Sequence, residues 1–91
     1  MEERDRLLRQ AEETALVALK TRAAGNRKIA DGHKLLARAI DIGEAPSRQT
    51  ADWTHQGHMS IKQGHEMLAR ADEIIVEVRE KIAALVVEAA S

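Results

Sequence analysis

The chain has 91 residues, with 14 Lys and Arg against 15 Asp and Glu, no Cys, no Phe, no Tyr and one Trp. That length makes one small domain; the missing cysteines exclude disulfides, thiolate metal sites and cysteine nucleophiles, and the charge balance and scarcity of aromatic rings argue against a nucleic-acid surface. MEERDRLLRQ has no apolar signal-peptide core and no apolar run is long enough for a membrane span, so the expectation is a cytoplasmic chain with no nucleic acid and no membrane among its partners.

Ala, Leu, Glu, Arg and Lys dominate, all good helix formers. The first predicted element is a helical half over 3–42. Gly43 suits the position just past a helix end, and Pro46 stops the chain from continuing. After the 43–47 loop, Ser47 or Thr50 can cap a second helical half over 48–89. The fold class expected is all-α, an antiparallel hairpin within a single domain.

Each half carries a seven-residue pattern. Leu8, Ala11, Ala15, Ala18, Arg22, Gly25, Ile29, Gly32, Leu36 and Ala39 alternate by three and four, as do Gly57, Ile61, Gly64, Leu68, Ala71, Ile75, Val78, Ile82 and Leu85. This is the contact stripe of packed helices, here rich in Ala and Gly. The bulky apolar residues gather at Leu7, Leu8, Leu16, Val17 and Leu19 and at Ile74, Ile75, Val76, Val78, Ile82, Leu85, Val86 and Val87. A hairpin turning at 44–47 sets these two stretches side by side, with apolar arcs wider than one partner helix can cover. The pattern therefore predicts self-association, most simply a homodimer of hairpins forming a four-helix bundle. Leu16, Val17, Ile75 and Val86 are the candidate partner-binding residues, together with Trp53, which either anchors the start of the second helix or serves a partner.

Residues 25–42 align without gaps to 57–74, with nine of 18 positions identical, including Gly25/Gly57, Ile29/Ile61, Gly32/Gly64, His33/His65 and Leu36/Leu68. The stretch Trp53-Thr54-His55-Gln56-Gly57, continuing to Lys62-Gln63-Gly64, resembles the first helix and turn of a tetratricopeptide repeat, and Gly25-Asn26 with Gly32 resembles one copy earlier. The resemblance implies turns at Gly32 and Gly64, about four helices, and binding of peptide or protein. The heptads imply instead two long helices running through the glycines, at a cost of about 1 kcal/mol for each of the four.

His33, His58 and His65 each follow a glycine and fall beside the contact stripe; with His55 they are the candidate metal ligands. His55, His58 and His65 span an arc of about 80° on a continuous helix, and the hairpin places His33 level with His58 and Asn26 level with His65. Imidazoles on facing helices can hold zinc, copper or haem, and glycine gives clearance for a flat cofactor; such regular helices around a His, Gly and Trp centre also suit a designed scaffold. No His-Glu-x-x-His, phosphate loop or recognisable nucleophile constellation occurs, so the histidines read first as half-buried, hydrogen-bonded boundary residues and second as a ligand site. Arg38 with Asp41 and Arg70 with Glu73 have the spacing of surface ion pairs. Arg22, on the contact stripe, is expected to pair with Asp72 or Glu73 across the hairpin. The function expected is a non-enzymatic helical module for self-association and protein–protein interaction, the alternative a His-based metal or porphyrin bundle.

Overall fold

A computed structural model describes residues 2–41 and 47–90, the side chains of residues 41, 89 and 90 excepted. It consists of α1, Glu2–Asp41, and α2, Arg48–Ala90, packed against each other as an antiparallel hairpin. The expected helix stop at Gly43 and Pro46 lies outside the described residues. The start of α2 is built as expected. Ser47 Oγ accepts from the Thr50 backbone N–H at 3.2 Å, and the Ser47 N–H donates to Thr50 Oγ1 at 2.9 Å. Two otherwise orphaned donors are satisfied by this reciprocal pair. Acidic Glu2, Glu3 and Asp5 in the first turn of α1 and Arg38 in its last turn complement the helix dipole.

Both helices run unbroken through Gly25, Gly32, Gly57 and Gly64. The turns that the repeat resemblance implies at Gly32 and Gly64 are not there, and the chain makes two helices rather than four. The reason lies in the opposite helix. A Cβ on Gly32 would sit 2.6 Å from the Gly57 carbonyl oxygen and 2.6 Å from Ile61 Cγ1; one on Gly64 would sit 2.6 Å from the Gly25 carbonyl oxygen and 2.6 Å from Ile29 Cγ1. The backbones approach so closely that no side chain fits between them.

The buried residues form two strings with a spacing of seven: Ala11, Ala18, Gly25 and Gly32 on α1, and Gly57, Gly64, Ala71 and Val78 on α2. Four residues beyond each of the four buried glycines comes a larger residue that covers a glycine across the seam. Ile29 packs on Gly64, Ile61 on Gly32, Leu36 on Gly57 and Leu68 on Gly25. These contacts explain the internal repeat. Aligned residues of the two copies exchange places about a local two-fold between the helices, the first glycine of each copy meeting the second glycine of the other.

Because the seam is made of Gly and Ala, little is sealed between two helices. Among the described residues, the buried apolar side chains are Ala11, Ala18, Ala71 and Val78, while the larger Ile29, Leu36, Ile61, Leu68, Ile75 and Ile82 stay half-buried. The molecule is a rod of 69 × 16 × 15 Å. Its radius of gyration is 20.2 Å, where a compact domain of this length has about 12 Å.

Replacing Gly32 or Gly64 by Ala tests the close approach. Helix propensity alone gains about 1 kcal/mol, but overpacking against backbone costs about 1–3 kcal/mol. The expected outcome is a lower melting temperature and urea midpoint for either variant, followed by circular dichroism. A rise in both would mean that the backbones do not touch.

Candidate functional site

At about 100° per residue, one step beyond each buried seam position leads to the same side of an antiparallel pair on both helices. On that side lie Leu19, Asn26 and His33 of α1 and His58, His65, Asp72 and Arg79 of α2. Five steps beyond the seam, on the same side, lie Leu16, Ala23, Ala30 and Ala37 of α1 and Lys62, Ala69, Val76 and Ala83 of α2, with His55 one heptad before Lys62. All these side chains are exposed. This histidine face therefore carries all four candidate ligands, and its α1 border from Leu16 to Ile40 bears no Asp, Glu, Lys or Arg. His33 and His58 immediately follow the paired Gly32 and Gly57, and Asn26 and His65 follow the paired Gly25 and Gly64, as the hairpin register requires. The histidines are exposed rather than half-buried. Among the described residues, no three His, Asp or Glu side chains gather into a group that could hold a metal ion.

The loop half of the opposite face is closed by side chains that bridge the helices. Ser60 Oγ donates to the Lys28 carbonyl at 2.7 Å, Lys28 Nζ donates to Gln63 Oε1 at 2.9 Å, and the Arg38 guanidinium lies 5.7 Å from the centre of the Trp53 ring. Trp53 is half-buried and is held at the start of α2 by this cation–π contact, worth about 0.5–1 kcal/mol at a partly exposed site. The Arg38 contact was not legible from spacing, because it joins residues on different helices. The i,i+3 pair expected between Arg70 and Glu73 is not formed, and Arg22 pairs with Asp72 across the hairpin.

The seam residues grow from Gly near the loop to Ala and then Val near the termini, and at that wide end an open groove of about 380 Å³ is lined by Leu7, Ala11, Thr14, Val78, Lys81 and Leu85. Around the same end Leu16 is 53%, Val17 58%, Val86 58% and Val87 67% exposed. Of the expected partner-binding residues, Leu16, Val17 and Val86 thus lie open, while Ile75 and Trp53 are half-buried. A second groove, of about 570 Å³, lies near the loop between Ile40 and Ala51, His55 and His58. No described helix is long and apolar enough to cross a membrane. The chain matches no family model, no curated protein and no solved structure.

The Arg22–Asp72 pair is open to water, with 42% and 62% of the side chains exposed, and an ion pair of that kind contributes about 0–1 kcal/mol. Arg22→Leu puts an apolar residue where the other heptads have Ile29 and Leu36. We expect its urea midpoint at or above that of the parent, with a smaller dependence on salt. A loss of more than about 2 kcal/mol would assign the pair a larger role than surface pairs have.

Proposed function

We propose that this chain is a non-enzymatic helical self-association module that works as a dimeric bundle. One observation carries the reading: among its described residues, a chain rich in Leu, Ile and Val buries no side chain larger than that of Val78 on its own. The hairpin leaves Leu16, Val17, Leu19, Val76, Val86 and Val87 more than half exposed, and places them on several sides of one end. A scatter of single exposed apolar residues is ordinary, whereas a contiguous cluster marks an interaction surface. The exposed area is also too large for a globular monomer. It amounts to 7058 Å², against about 5,300 Å² for a compact protein of 10.1 kDa. Association removes that excess, and the uncharged Ala-rich border of α1 allows another helix to come close.

Light scattering on the eluting protein tests this reading. The expected mass is twice that of the chain, with a melting temperature that rises with concentration, since binding between folded copies adds to stability. Val76→Glu, an exposed position, is expected to shift the protein toward monomer with little loss of helix signal at high concentration. A parent that stays monomeric at every accessible concentration would overturn the reading.

A second reading, the His-based zinc, copper or haem bundle, is favoured by the placement of His33, His55, His58 and His65 on one face. Since no three donors gather among the described residues of one chain, such a site draws ligands from two copies. It predicts saturable binding of zinc or a haem absorbance band at one per dimer, lost in the His33→Ala, His58→Ala, His65→Ala variant. Binding that survives in the triple variant would sink it.

A further inference from the structure

We propose that two copies dock through their histidine faces about a two-fold axis running along the hairpin, so that both loops sit at one end and α1 of each copy lies antiparallel on α2 of the other. The proposal rests on the self-association reading and specifies its geometry. Four arguments converge on it.

The first is where the half-buried side chains lean. Ile29, Leu36, Ile61, Leu68, Ile75 and Ile82 stand four residues after a buried seam position, about 40° round the helix toward the histidine face. Their uncovered sides therefore open onto that face, between the exposed borders, and a second hairpin laid there completes a four-helix core. Near the loop the opposite face offers bridging polar groups, namely Ser60 and Lys28, Lys28 and Gln63, and Arg38 over Trp53, and toward the termini it carries the groove between Leu7, Thr14 and Lys81.

The second is area. A face 69 Å long and 16 Å wide offers on the order of 1,000 Å² per copy, and a standard stable interface needs about 800 Å² per partner. One further copy is therefore sufficient.

The third is charge, which chooses between the two ways of stacking the same face. Two residues past the seam, on the outer edges, α1 carries Lys20, Arg27 and Lys34 and α2 carries Glu66, Glu73 and Glu80, with Glu13 of α1 the exception in sign. With the axis along the hairpin, the basic edge of each copy lies beside the acidic edge of the other. If the register between copies repeats that within the chain, Lys20 falls between Glu66 and Glu73 of the second copy. With the axis across the hairpin, α1 meets α1 and α2 meets α2, and each edge faces its own charges, which is unfavourable. Complementary edges both attract and fix orientation.

The fourth is bulk. With the register that holds within the chain, the proposed axis sets Leu16 and Leu19 level with the stretch from Ala69 to Val76 of the second copy and keeps the two bulky ends together; the other axis sets that bulky end against the Ala- and His-bearing end. In the proposed bundle His33 of each copy comes to lie opposite the His58 region of the other, which is the site the metal reading requires.

The chain has no cysteine, so a single nitroxide at Gln49→Cys, an exposed position beside the loop, reports the arrangement by pulsed electron paramagnetic resonance. Loops at one end place the two labels within about 30 Å, given helices 8–10 Å apart. Loops at opposite ends place them near the 69 Å length of the hairpin. The face is tested separately by Ala30→Arg on the histidine face and Ala24→Arg on the other, both exposed. We expect Ala30→Arg to weaken dimerisation about tenfold or more, equivalent to about 1.4 kcal/mol, and Ala24→Arg to leave it unchanged. A dimer with the long label distance, or one weakened by Ala24→Arg and not by Ala30→Arg, would overturn this arrangement while leaving self-association intact. A monomer by light scattering would overturn both.

Discussion

The contact of helix backbone with helix backbone at Gly25–Gly64 and Gly32–Gly57 governs the rest of the molecule. Glycine in a helix interior is unfavourable by about 1 kcal/mol relative to alanine. Breaking the helices at those points would leave further N–H and C=O groups without intrahelical partners. Continuity avoids that loss, and the room left by each missing side chain is taken up by the carbonyl of the other helix. The same contact fixes register. A slip of one helix past the other by a few residues would bring the side chain of Ile29, Ile61, Leu36 or Leu68 against a backbone that has space only beside glycine. Small seam residues thus specify alignment by exclusion, as polar seam residues do in coiled coils by pairing.

Close approach has a consequence for burial. When two helices meet backbone to backbone, the large side chains cannot lie between them and are turned to the sides. The half-buried Ile and Leu residues four positions past each glycine are the direct result. Their apolar area contributes at roughly 25 cal/mol per Å² only to the extent that water is removed from it, and in a lone hairpin that removal is partial. A rod of this kind is marginal by itself, as small domains are. In the proposed dimer, folding and association are parts of one equilibrium, in which the second layer supplies burial that the first cannot.

How much of this was legible in the sequence depends on the range of the interaction. The two helices, the loop between them and the contact stripe follow from local spacing, because Ala11, Ala18, Gly25 and Gly32 mark a seven-residue period by themselves. The Ser47–Thr50 cap is equally local. Whether Gly32 and Gly64 break or continue a helix was not decided locally, since the answer depends on Gly57 and Gly25 in the other helix. The repeated segment was visible but ambiguous for the same reason: in a linear reading it resembles tandem units, whereas the fold uses it as two antiparallel partners. The shared side of the four histidines was readable from the heptad position. Their full exposure was not, because burial at that position depends on what packs over it.

Net charge hides a further feature. A value of -1 at pH 7 describes a chain with its signs separated: between Lys20 and Arg38, α1 has Lys20, Arg22, Arg27, Lys28, Lys34 and Arg38 against Asp31, while α2 between Glu66 and Glu80 has Glu66, Asp72, Glu73, Glu77 and Glu80 against Arg70 and Arg79. Among the described residues of one hairpin, Arg22 and Asp72 join as an ion pair across the seam, whereas residues two steps past it point away from the other helix. The separated edges therefore do little for the single chain. A surface with a basic edge and an acidic edge in the same seven-residue spacing is complementary to itself turned about its long axis. In the proposed dimer, that self-complementarity lets the same sequence that leaves its apolar side chains half covered also carry the charges that select what covers them.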